Sequence, residues 1–222
     1  MAVQILDSAG SNKLGVDAGN AAMMTQRPPF VGANGAYRVC ALTGLLTVVA
    51  AGTASAGHIF AARWSHVSKL CIITKLRARW VTVAGFTAGQ EVGLDCFVSR
   101  THSAAHTGGT GLTINADQMK KRKSHGSTTF ADLRVSTTGA LTNGTNTLDT
   151  QPIAWGAFSE LAAGAAVPKG FFEMIVVDEA TAGYPLILSA SEGLVIRNTV
   201  LMGAGGTARV AIEMDWLEVD AY

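Results

Sequence analysis

Charge is scarce in this chain. Lys and Arg number 17 and Asp and Glu 16 among 222 residues, a formal net charge of +1. No long-range field therefore draws the whole molecule to nucleic acid or to an anionic surface, and nucleic-acid binding is disfavoured. Cysteine is scarce too. Cys40, Cys71 and Cys96 are an odd, widely spaced set, each inside an apolar run (YRVCALTG, KLCIIT, LDCFVS). That argues against a disulfide framework and predicts three buried free thiols made in a reducing compartment. No short internal repeat occurs, which argues against propellers and solenoids.

A convincing membrane span is also lacking. Between Val39 and Ala62 there is no Asp, Glu, Lys or Arg, longer than the roughly 20 residues a helix needs to cross a bilayer. The stretch is diluted, however, by Thr43, Thr47, Thr53, Ser55, His58 and three glycines, and only LLTVVA is strongly apolar. It predicts a β-hairpin with a small-residue turn and no membrane association. The opening MAVQILDSAGSNKLGVDAGN is polar and glycine-rich, unlike a secretory signal.

What is present is apolar and β-forming. Hydrophobic residues make up 48% of the chain and charged ones 15%, enough to bury a large core in one or two domains. Thr and β-branched residues suit strands, and Gly and Asn supply turns. In KLCIITKLRARWVTVAGF, Leu70, Ile72, Thr74, Leu76, Ala78 and Trp80 alternate with Cys71, Ile73, Lys75, Arg77, Arg79 and Val81, which predicts a strand with a polar outer face at Lys75, Arg77 and Arg79. EVGLDCFVSR predicts a neighbouring strand with Val92, Leu94, Cys96 and Val98 inward, joined to it by AGFTAGQ. GLVIRNTVLM and TARVAIEMDWLEV flank GAGG and predict an antiparallel hairpin, with Ala208, Val210, Ile212, Met214 and Trp216 on one face. Further strands are expected at 130–137, 171–177 and 184–189, and PIAWGAFSELAAGAAVP reads as a short helix or an irregular loop. Short strands without a βαβ rhythm predict an all-β, antiparallel, jelly-roll-like β-sandwich over residues 36–222.

Residues 1–35 differ. They carry no sustained period and end in RPPF, which cannot continue a helix or a central strand. The alternatives are a disordered tail and an extended arm; Val3, Ile5, Leu6, Leu14, Val16, Met23 and Met24 are apolar anchors that favour the arm, which needs another subunit to lie on. Each anchor buried on a neighbour contributes on the order of 1–2 kcal/mol.

The residues that might carry chemistry are few. His102 and His106 in HSAAH have the i, i+4 spacing of a zinc pair, but SRTHSAAHTGGTGLT reads as a solvated loop and lacks the glutamate of H-E-x-x-H, so no metal site and no cofactor are expected. MKKRKSH is the densest basic run. Lys120, Lys121, Arg122 and Lys123, with Arg77 and Arg79, are candidates for contact with an acidic partner surface, the alternative being a solvated loop tip balanced by acids elsewhere. GTASAG is no nucleophile elbow and GAGGT no phosphate loop. Glu213, Asp215 and Glu218 fall in water-facing phase, giving no glycosidase pair. No catalytic set emerges, and the chain reads as a non-enzyme; a metal-dependent enzyme on a cupin-like jelly roll needs clustered His with a carboxylate.

The ordered series GAYRVCALTGLLTVVAAGTASAGHIFAARW, KLCIITKLRARWVTVAGFTAGQEVGLDCFVSR, FADLRVSTTGALTNGTNTLD and PLILSASEGLVIRNTVLMGAGGTARVAIEMDWLEV resembles a group of proteins encoded among the virion genes of tailed bacteriophages. The resemblance runs from about residue 35 to the end, and VDAGNAAMMTQRPP shares it. It implies a structural protein of the particle, assembled in the bacterial cytoplasm as symmetric copies, most simply a capsid decoration or cement protein. Such proteins sit as homotrimers on the major capsid protein and clamp neighbours with arms. The alternative role is a tail- or vertex-associated adsorption module that binds host-surface carbohydrate through loops, with His102, His106, Trp155 and Phe158 as the ligand residues. Core packing is the competing role for Trp155.

Overall fold

The structure is a computed structural model and describes residues 35–47, 57–113, 119–121, 125–130, 132–162, 172–176 and 185–220. All of them belong to one compact unit, Gly32–Tyr222. The arm anchors Val3, Ile5, Leu6, Leu14 and Val16, and Arg122 and Lys123 of the basic run, lie outside the described residues.

Among the described residues the chain forms twelve strands: β1 (Ala36–Leu42), β2 (His58–Trp64), β3 (Lys69–Ala84), β4 (Gln90–Arg100), β5 (Thr110–Gly111), β6 (Asp132–Val135), β7 (Thr147–Leu148), β8 (Ala154–Glu160), β9 (Phe172–Val176), β10 (Leu186–Leu188), β11 (Glu192–Asn198) and β12 (Thr207–Asp220). They make two antiparallel sheets. The five-stranded sheet has the order β1-β12-β3-β10, with β9 also on β3; the seven-stranded sheet has the order β5-β6-β2-β11-β4-β7, with β8 also on β4. The fold is an all-β sandwich, and successive long strands alternate between the sheets. The rows β1-β12-β3-β9/β10 and β2-β11-β4-β8 are those of a jelly roll, with β5 and β6 added at one edge.

That alternation corrects three local expectations. β3 and β4 are not hydrogen-bonded neighbours: β3 pairs with β12, β9 and β10, and β4 with β11, β7 and β8. β11 and β12 do not form a hairpin, because they lie in opposite sheets. β1 and β2 are likewise split between the sheets, and residues 48–56 of the expected turn lie outside the described residues. A glycine-rich turn between two alternating runs serves an arch across a sandwich as well as a hairpin within a sheet. Local pattern does not distinguish them. Phe86, fully buried in the AGFTAGQ connection, plugs that end of the core, and a Cβ on Gly206 would stand 1.9 Å from its ring.

The core is one cluster between the sheets. Tyr37 stacks on Trp216 at 5.6 Å between ring centroids, and Phe130 sets its edge against both Trp216 and Trp64. On β12 the inward set is the expected Ala208, Val210, Ile212, Met214 and Trp216. On β3 the expected set holds from Leu76 through Trp80, but before it Cys71 and Ile73 face inward instead of Leu70, Ile72 and Thr74. The cause is a bulge, where Asp215 pairs with Lys75 and Trp216 with Ile73, so that Thr74 is the extra residue and the phase flips. Two further readings change. The Ala154–Glu160 segment is strand β8, not helix or loop. Cys40 is exposed on the edge strand β1, while Cys71 and Cys96 are buried; all three thiols are free. No helix among the described residues is long and apolar enough to cross a membrane.

Candidate functional site

The strands of the seven-stranded sheet are apolar in both phases. β2 reads HIFAARW, β4 contains CFV and β11 contains LVI. One phase fills the sandwich core; the other, Ala61 and Val195, is buried on the outer face under Leu141 with Leu148 alongside. That second layer consists of the loop 101–109 and of residues 137–149, a loop that ends in the short edge strand β7. Ser103 N–H donates to Thr145 O at 2.9 Å, Thr107 and Thr142 exchange backbone hydrogen bonds at 3.0 Å, and Leu141 N–H donates to His58 O at 2.8 Å. Arg134 Nη1 donates to Gly108 O at 2.6 Å and Arg63 Nη1 to Ser103 O at 3.4 Å.

Three of the five histidines meet under this layer. A bulge in β2 places Ile196 opposite Phe60 but Arg197 opposite His58, which turns His58 to the outer face beside Arg197. His58 Nδ1 and His106 Nε2 are 2.7 Å apart, and His102 sets its ring edge-on to His106 at 5.2 Å between centroids. All three side chains are buried, whereas Ser103, Ala104 and Thr107 around them are exposed. HSAAH is thus a loop, as expected, but the solvated loop is a correction: its histidines point down onto the sheet. His58 Nε2, His106 Nδ1 and both nitrogens of His102 are buried without a hydrogen-bond partner. Burial comes first in pushing the pKa of His58 down to about 3 and those of His102 and His106 down to about 4; the His106 imidazole and then Arg197 add to it at His58, His106 and then Arg63 at His102, and Arg134 at His106. The rings are neutral near pH 7. Among the described residues no group of three or more His, Cys, Asp or Glu is disposed to hold a metal ion.

Trp155 and Phe158 do not join the histidines. They lie on opposite faces of β8. Trp155 is 69% exposed opposite Asp95, on a strand and not on a loop, and Phe158 turns inward to stack on Phe172 at 5.8 Å. Core packing therefore fails for Trp155 and holds for Phe158. In the same outward phase as Trp155, Ile153 shares with Met174, Ile175, Val176, Pro185 and Leu186 a cleft of about 390 Å³ at the β8–β9–β10 edge. Ile153 and Val176 are both exposed.

The basic candidates gather on the other sheet, interleaved with acids. Arg77 donates to Glu213 through Nε at 2.7 Å and Nη2 at 2.6 Å and approaches Glu173 at 3.7 Å; Lys121 Nζ reaches Asp215 at 2.7 Å, and Arg38 shares that carboxylate at 3.5 Å. The Lys120 backbone forms an isolated antiparallel β-bridge with Tyr37, and Arg79 stands opposite Ala211. The outer face of the five-stranded sheet is a mixed-charge ladder and not a basic patch. Glu218, expected in water-facing phase, is instead fully buried. Its carboxylate accepts from the Thr128 hydroxyl, from Thr129 N–H and hydroxyl, and from the Trp216 indole.

What sequence reasoning missed was His58 and the second layer. The available signal was the apolar content of both phases of β2, β4 and β11, which marks strands covered on both faces. The chain matches no protein-family model, no curated protein and no solved structure.

Proposed function

We propose that this chain is a structural component of a tailed-bacteriophage particle, a capsid decoration or cement protein that holds the shell through contacts between subunits. The observation that carries the reading is the β8–β9–β10 edge of the sandwich, where the exposed side chains of Ile153 and Val176 flank a cleft of about 390 Å³ that Met174, Ile175, Pro185 and Leu186 also line. Apolar side chains grouped at an open sandwich edge mark a surface that a partner covers. Jelly rolls recur in viral shells, and the resemblance of the ordered strand sequences to phage virion proteins points the same way. In this reading the protein is a homotrimer on the major capsid protein. The apolar edge supplies the burial, the ladder of Arg77, Lys121, Glu213 and Asp215 fixes orientation, and the residue 1–35 arm lies on a neighbouring subunit.

A second reading rests on Trp155. An exposed indole on a strand face is the kind of platform on which a sugar ring stacks, and it suits an adsorption module at a vertex or on the tail.

The copy number per purified particle, measured by gel densitometry against the major capsid band, separates the two. A ratio near one per capsid subunit, or a simple fraction of it, is expected for decoration. A handful of copies favours adsorption, and absence from the particle ends both readings. Deleting residues 2–30 and replacing the exposed Ile153 and Val176 by Ser are each expected to weaken attachment to stripped particles while leaving the sandwich folded. Unchanged attachment by both variants would remove arm and edge from the proposal.

A further inference from the structure

We infer that the loops 101–109 and 137–149 form a proton-operated lid on the outer face of the seven-stranded sheet: charging His58, His102 and His106 lifts the lid and bares the apolar surface of Ala61, Val195, Leu141 and Leu148.

The inference rests on where the imidazoles sit. His102 and His106 belong to the lid and His58 to the sheet beneath it, so the 2.7 Å contact between His58 Nδ1 and His106 Nε2 spans the very surface that would part. One ring donates and the other accepts. A proton added to the accepting ring sets N–H against N–H, and one added to the donating ring lands on a buried nitrogen with no acceptor. His102 already holds a buried N–H without an acceptor, and its Nδ1 is close-packed where a Cβ on Gly193 would stand 2.8 Å away.

The surroundings oppose added charge from every side. β2 contributes Arg63 beside His102, β6 contributes Arg134 beside His106, and β11 contributes Arg197 beside His58. The acids that face them are already engaged: Asp95 of β4 lies 3.7 Å from Arg197, and Asp132 of β6 sits in the field of Arg134 and Arg63. At the far end of the lid, Arg100 of β4 holds Asp149 and Glu192. Among the described residues, the charged groups that act on the three imidazoles are arginines and one another, with no carboxylate among them. With the nitrogens not disposed to hold a metal ion, the ligand that the trio is built to sense is the proton.

The lid also has a strained hinge. Thr101, where β4 ends, holds φ at 47°, and Ser191 across from it holds φ at 64°; His102 N–H donates to Ser191 O at 2.7 Å and ties the two together. A β-branched residue in the left-handed region is unfavourable, and the docked lid is what maintains it. Gly108 and Gly109, both at positive φ, form the other hinge. Each imidazole that is neutral when docked and charges when free multiplies the open-to-closed ratio by up to about tenfold per pH unit below its ordinary pKa. Three of them make the release steep.

Hydrogen exchange of the full chain, compared at about pH 7.5 and about pH 5 after correction for intrinsic rates, tests this. The expected result is a loss of protection of about tenfold or more in 101–109 and 137–149 at the lower pH, reversed on neutralisation, with β3 and β12 still protected. The triple variant His58→Gln, His102→Gln, His106→Gln is expected to abolish the step. Loops that stay protected at the lower pH, or that open only together with β3 and β12, would overturn the inference. Should the variant not fold, NMR titration of the wild-type imidazoles decides: charging in the same step as loop opening supports the lid, and charging with the loops still closed overturns it. Zinc added alone at neutral pH is a further check, since zinc coordination by the trio in the closed state would make it a metal site and overturn the proton lid.

Discussion

The carboxylate of Glu218 receives both the backbone N–H and the side-chain hydroxyl of Thr129, at 2.9 and 2.7 Å, in a fully buried position beneath the Tyr37–Trp216 stack. A buried carboxyl group is accommodated where enough donors surround it, and here the Thr128 hydroxyl and the Trp216 indole complete the set. The consequence is a polar rivet that ties residues 128–129 to the end of β12. Glu218→Leu leaves those donors without acceptors and is expected to cost about 3 kcal/mol or more. Chemical denaturation should show a lower midpoint with an unchanged slope; an unfolding free energy within about 0.5 kcal/mol of wild type would mean that the rivet contributes little.

Stability should fall on the acid side well before the carboxylates titrate. Folding lowers the pKa values of His58, His102 and His106 below their ordinary 6.5. The unfolded chain takes up protons that the fold refuses, so the stabilisation is fully present above pH 6.5 and is lost progressively as pH falls toward 4. Denaturation midpoints measured from pH 8 down to 4 are expected to be flat at first and then to drop. Replacing the three histidines by Gln should flatten the profile, and an equally steep profile in that variant would assign the drop to other groups.

The two sheets touch at Gly156, where a Cβ would stand 2.3 Å from the Phe172 ring that also stacks on Phe158. Gly156→Ala is therefore expected to destabilise by about 1–3 kcal/mol through overpacking, and Gly156→Ala with Phe172→Leu to recover part of it. A double-mutant cycle on thermal unfolding measures the coupling; strict additivity would place the ring clear of residue 156.

Thiol labelling provides a direct check of the sheet assignment. Cys40 is exposed on the edge strand, whereas Cys71 and Cys96 are buried, and burial drives both their pKa values upward, that of Cys96 to about 12. A folded sample should react rapidly at one thiol and an unfolded one at three. Rapid reaction at Cys71 would contradict the phase reversal at the Thr74 bulge.

Some of this architecture was legible from residue order alone, because alternation is a local property. The inward set of β12, the polar face of β3 from Lys75 onward and the all-β sandwich follow from period-2 patterning, which each strand carries by itself. Three things were decided only in three dimensions. Whether GAGG closes a hairpin or an arch depends on which sheet offers the better partner, and the flanking runs are compatible with both. The phase of Cys71 and Ile73 depends on one bulge, whose cost is repaid across the sheet by the pairing of β12. The trio His58, His102 and His106 depends on a loop folding back over a sheet, which brings together residues 48 positions apart in the chain. Periodicity records which side of its own strand a residue occupies; what covers that side is set by packing between distant segments, and there the histidines acquired their burial.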